Sequence, residues 1–142
     1  MKKIFFAFAM LFSGMIIFTS CKKASTETIN QSLVADTTAV LKFEGTFVSG
    51  PYGTVSGLAR VYLKENKYLV ALENFNSSNG PDLKVYISKE QIPVNFIKLS
   101  DLGSTNGNQL YTVPGTPDFT VYKYVLIHCE QYNHLFGSAQ LN

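Results

Sequence analysis

The chain reads as an all-β protein, a single antiparallel β-sandwich or small barrel of about eight strands, preceded by a signal peptide and a short polar tether. Three observations predict this. From Val40 onward, short runs rich in Val, Ile, Tyr, Phe and Leu alternate with clusters of Gly, Pro, Asn, Asp and Ser. Leu83, Val85 and Ile87 alternate with Asp82, Lys84, Tyr86 and Ser88, the two-residue period of a strand with one buried face. No segment of useful length carries a helical apolar stripe. With 142 residues, 46% of them hydrophobic, the chain has enough material for one such domain, and it shows neither an internal repeat nor a second domain.

The first element is residues 1–20, MKKIFFAFAMLFSGMIIFTS. A basic start followed by an apolar run from Ile4 to Phe18 matches a secretory signal. Those fifteen residues would rise only about 22 Å as a helix, short of a hydrocarbon core roughly 30 Å thick. Phe18, Thr19 and Ser20 lead into Cys21, the pattern of a bacterial lipoprotein signal, in which the cysteine sulfur takes up lipid and becomes the new N-terminus. Palmitate-type chains at about 0.8 kcal/mol per buried CH₂ would then hold the protein on a membrane. The expected address is the bacterial cell envelope, lipid-anchored and exposed outside the cytoplasm. Residues 21–39, the lipidated N-terminus and the polar run after it, read as a flexible tether.

Residues 40–142 form the β domain, with expected strands at Ala39–Val48, Gly53–Leu63, Lys67–Asn74, Leu83–Ser88, Asn95–Leu99, Gln109–Val113, Val121–Cys129 and His134–Leu141. Glu65-Asn66 reads as a tight hairpin turn, and residues 79–82 and 103–108 as longer turns. Asp82, Asp101 and Asp118 each follow turn-forming residues, so turn chemistry accounts for them.

Charge excludes one class of partner. Of twelve Lys and Arg, Lys2 and Lys3 fall in the leader, which leaves ten against ten Asp and Glu. Phosphate attraction has no source in such a balance, and nucleic acid is not an expected partner.

The stretch VLIHCEQYNHLFG, residues 125–137, carries both histidines and the one cysteine beyond the leader and Cys21. With Cys21 lipidated, Cys129 has no partner for an internal disulfide in a compartment where disulfides persist. Strand geometry points Val125, Ile127 and Cys129 to one face and Tyr124, Leu126 and His128 to the other. His128 and Cys129 therefore share a metal only if a bulge breaks the strand, whereas Cys129 and His134 can approach across the 130–133 turn. A blue-copper site lacks its methionine, since Met1, Met10 and Met15 all lie in the leader. Structural zinc lacks a fourth ligand, and covalent haem lacks its Cys-x-x-Cys-His; no metal site is expected. Haem held by His128 or His134 stays open, because one axial histidine suffices. Hydrolase, phosphate-loop and zinc-protease signatures are absent. Cys129 thus reads either as packing, cysteine being among the most buried residue types, or as a redox thiol or ligand.

Five segments together resemble the DM-thirteen domain of animal Skeletor-type proteins and many bacterial lipoproteins: GTF at 45–47, SGLARVYL at 56–63, GPDLKVYIS at 80–88, LGSTNGNQLYTVP at 102–114 and YVLIHCEQYNHLFGSAQL at 124–141. The resemblance implies an all-β domain whose single cysteine matches Cys129. It also implies electron transfer, with that cysteine a bare thiol or a ligand to a prosthetic group and any redox partner a separate protein, while His128 and His134 are candidate cofactor ligands on their own residue chemistry. The sequence departs from the family pattern at Tyr52 and Gly53, where many members have a histidine, and at His128, where an aromatic is common. The contrasting reading is a non-catalytic adhesion or envelope-interaction module in which Cys129 only packs.

Overall fold

The computed structural model describes residues 38–142; the signal peptide, Cys21 and nearly all of the tether lie outside the described residues. Eight strands follow in chain order: β1 (Val40–Ser49), β2 (Val55–Lys64), β3 (Lys67–Ser77), β4 (Leu83–Ser88), β5 (Phe96–Asp101), β6 (Asn106–Thr112), β7 (Tyr124–Cys129) and β8 (His134–Gln140). All pairings are antiparallel, and the strands hydrogen-bond in the order β5-β4-β7-β8-β1-β2-β3-β6. The sheet curls into a nearly closed barrel, so the expected all-β fold takes its barrel form, and among the described residues there is no helix.

Local chemistry sets the turns. Glu65 and Asn66 both adopt positive φ, 47° and 61°, as the two central residues of a tight hairpin require for the twist of β2 and β3 to match. β1 turns the barrel's corner by changing partners: Val40–Thr46 pair with β2 and Phe47–Ser49 with β8. Asn74, at φ 48°, is the extra residue where β3 slips register against both β2 and β6. That bulge lets β3 continue to Ser77, past the expected end at Asn74. The chain enters β6 earlier than expected, at Asn106, with Gly107 at φ 89°. β7 starts later, at Tyr124, because the Asp118 carboxylate accepts from the Thr120 N–H and its carbonyl from Val121 and Tyr122, which winds 118–122 into a turn.

The interior is filled by the inward positions of every strand, including Val61, Leu72, Val85, Val125, Ile127 and Cys129. One expectation needs correction: β4 is buried on both faces, not one. Its outward residues are covered by neighbours. Phe96 stacks on Tyr86 at 4.3 Å, the Ser88 hydroxyl donates to the carbonyls of Ile92 and Asn95, and carboxylates close over Lys84.

Candidate functional site at the β7–β8 hairpin

Cys129 is the last residue of β7. Its backbone partners are the first residue of β8, His134, and the first residue of β4, Leu83. Its side chain points inward and is 1% exposed, in the core cluster with Leu83 and Phe136. Phe136 is the extra residue of a bulge in β8, where Ile127 pairs with Gly137 but His128 with Leu135. Two glycines let the chain lie flat on the Phe136 ring. A Cβ on Gly53 would meet Phe136 Cδ1 at 2.4 Å, and one on Gly80 would meet Phe136 Cζ at 2.9 Å. The thiol is thus covered at the barrel's end.

His134 faces Cys129 across the hairpin, yet its ring is occupied on the outside: Tyr52 stacks on it at 3.7 Å with planes 3° apart, and Tyr132 lies 5.8 Å away. Tyr52 and Tyr132 are both exposed.

His128 lies on the opposite face from Cys129. The bulge is in β8, and β7 runs unbroken against β4 from Leu83↔Cys129 to Ser88↔Tyr124, so the two side chains stay apart. His128 is buried, and burial pushes its pKa below the ordinary histidine value. One ring nitrogen engages the Asn133 side chain, while Nδ1 is buried without a partner. Beside it sits Tyr86, 5.7 Å between ring centroids, whose hydroxyl donates to Glu130 Oε1 at 2.5 Å. Lys98 donates to the same carboxylate at 3.1 Å, and Lys84 is held by Asp82 at 2.6 Å and Asp101 at 2.7 Å. Those partners raise the Lys84 pKa and lower that of Asp101, and the hydrogen bonds from Tyr86 and Lys98 lower that of Glu130.

This outer-face network was missed in the sequence. Its one local signal was Lys84 and Tyr86 alternating through GPDLKVYIS. Asp82 and Asp101, read there as turn residues, are the counter-ions of Lys84.

The described residues also form a cleft of about 330 Å³ between segments 79–84 and 101–105. Its volume reaches the range of small-molecule sites, but its lining contains no histidine, cysteine or tyrosine. Tyr52 covers one face of the His134 ring, and His128 is buried away from the cleft. The cleft therefore offers haem no axial ligand, and among the described residues no three His, Cys, Asp or Glu side chains converge on one point.

A family model described as Electron transfer DM13 matches residues 46–141. No curated protein and no solved structure matches the chain.

Proposed function

The chain belongs to the Electron transfer DM13 family, and from that premise we propose that it is an electron-transfer module held on the bacterial envelope by lipid on Cys21, exchanging electrons with a separate redox protein through Cys129 as a bare thiol. The observation that carries this reading is the place of Cys129 in the hairpin's terminal pair with His134. Local opening at a hairpin end costs less than global unfolding, and it uncovers the sulfur when the Cys129–His134 pair parts and Leu83 and Phe136, which share its core cluster, shift.

Once open, the chemistry balances without any bound group. The Cys129 thiol loses its proton to water, the thiolate attacks one sulfur of a partner's disulfide, and the other sulfur leaves as a thiolate. A dithiol donor then attacks the Cys129 sulfur and frees the partner's second thiolate, and the donor's other thiol displaces Cys129, so that the partner's disulfide is reduced to a dithiol, the donor is oxidised to a disulfide and Cys129 returns as a thiolate. Cys129 is the free cysteine among the described residues. A prosthetic group held jointly by His128 and Cys129 is disfavoured, because the two face opposite sides of β7.

Absorbance and thiol titration of the purified full chain test this. The reading expects no haem Soret band, one slowly reacting thiol in the native state, and its loss in Cys129→Ala. A Soret band in the purified chain would overturn the bare thiol.

The second reading, a non-catalytic adhesion or envelope-interaction module, is favoured by the 1% exposure of Cys129. It expects protection of the thiol until the whole domain unfolds.

A further inference from the structure

The outer face of β4 and β7 carries a tyrosine arranged for one-electron chemistry. Oxidising a phenol makes its proton strongly acidic, so a buried tyrosine gives up an electron readily only where a base already holds that proton. Tyr86 is 1% exposed, and its hydroxyl already donates to the Glu130 carboxylate at 2.5 Å. Glu130 is partly exposed, with a side chain 37% accessible, and its salt bridge to Lys98 stands at the solvent boundary, so a proton delivered there can leave. His128 adds an independent observation: a buried imidazole nitrogen with no partner, 5.7 Å from the Tyr86 ring. The charged and titratable groups around Tyr86 are Lys84 on β4, Lys98 and Asp101 on β5, His128 on β7, and Asp82 and Glu130 in the flanking turns.

We propose that Tyr86 is a redox-active tyrosine that passes its phenolic proton to Glu130 as it gives up one electron. In the step, the Tyr86 O–H bond breaks, the proton forms an O–H bond on Glu130, and one electron goes to a metal-centred one-electron oxidant, which is reduced by one unit. The product is a neutral Tyr86 radical beside a protonated Glu130, and the reverse step restores both. Tyr62 provides the internal contrast. Its hydroxyl also donates to a carboxylate, Glu73, but at the longer distance of 3.0 Å. The inference deepens the electron-transfer reading and rests on it for use in the cell, while its chemistry is independent of Cys129.

The test uses the full chain carrying Tyr52→Phe and Tyr132→Phe, which removes the two exposed phenols, with photogenerated tris(bipyridyl)ruthenium(III) as oxidant and electron paramagnetic resonance of freeze-trapped samples. A tyrosyl radical is expected, lost on adding Tyr86→Phe and retained on adding Tyr62→Phe. Glu130→Gln should slow its formation by about a hundredfold, the lower end for a positioned base, and the rate in the parent should fall in deuterium oxide. A radical that survives Tyr86→Phe, or a formation rate unchanged by Glu130→Gln, overturns the inference. Because Glu130→Gln keeps the tyrosine in place, that arm decides even if Tyr86→Phe fails to fold. Adding Cys129→Ala separates the two readings: the radical persists there if only the thiol chemistry fails, and thiol exchange persists in Tyr86→Phe if only this inference fails.

Discussion

The Tyr52 ring lies flat on the His134 imidazole, centroids 3.7 Å and planes 3° apart. His134 is in turn the backbone partner of Cys129. An exposed aromatic from the turn after β1 therefore braces the residue paired with Cys129 across the hairpin. Replacing Tyr52 by Ala removes a contact worth about 0.5–1.5 kcal/mol. Because a change of 1.4 kcal/mol is about tenfold in an equilibrium, native-state labelling of Cys129 should rise between about twofold and tenfold. Thiol-reagent kinetics on wild type and Tyr52→Ala check this.

The glycine contacts make a second prediction. Gly53→Ala drives a methyl to within 2.4 Å of Phe136, a buried ring. Overpacking of this kind costs about 1–3 kcal/mol. A lower urea midpoint with an unchanged denaturant slope is expected, together with faster labelling of Cys129.

Cys129 itself should tolerate Ala better than Ser. The alanine loses one buried atom's packing, about 1 kcal/mol on the scale of small core truncations, whereas the serine hydroxyl adds about 1–3 kcal/mol if it finds no partner there. Denaturant unfolding of the two variants gives the order.

Acid should weaken the domain partly through His128. Its folded pKa is lowered from 6.5, burial being the largest cause, so below that value the unfolded chain binds the proton more readily than the folded one. Stability from the neutral imidazole is full above the unfolded pKa and is lost as pH falls toward the folded one. Glu130, Asn133, His134 and Tyr86 surround this ring, and of the charged neighbours Glu130 opposes the shift while His134 adds to it. His128→Gln, which keeps a donor for Asn133, should flatten the decline just below pH 6.5 in a series of urea melts. The carboxylates Glu130 and Asp101, with lowered pKa values, add their loss only at more acidic pH.

Much of the architecture was legible because it is local. The β2–β3 turn follows from Glu65-Asn66 between two β runs, and the inward face of β4 from Leu83, Val85 and Ile87. What escaped was non-local. The Phe136 bulge depends on how β8 meets β7, and the Lys84–Asp101 pair exists because those residues face each other across the β4–β5 ladder. Asp101 looked like a turn residue only because its partner is seventeen positions away. Alternation put His128 and Cys129 on opposite faces, but it could not tell that both faces of β7 are covered, which depends on Tyr86 and Phe96 from other strands.

The proposed lipid on Cys21 makes its own prediction. Metabolic palmitate labelling of the expressed protein should disappear in Cys21→Ala, with the variant released to the soluble fraction. Unlabelled wild type would refute the anchor.

The most direct test of the central claim is the rate at which Cys129 reacts with a thiol reagent in the full chain as urea is raised well below the unfolding midpoint. Opening of the terminal Cys129–His134 pair predicts a measurable rate with a shallow urea dependence, because little surface is exposed. A rate that follows the steep dependence of global unfolding from the first addition of urea would contradict it and leave Cys129 as packing.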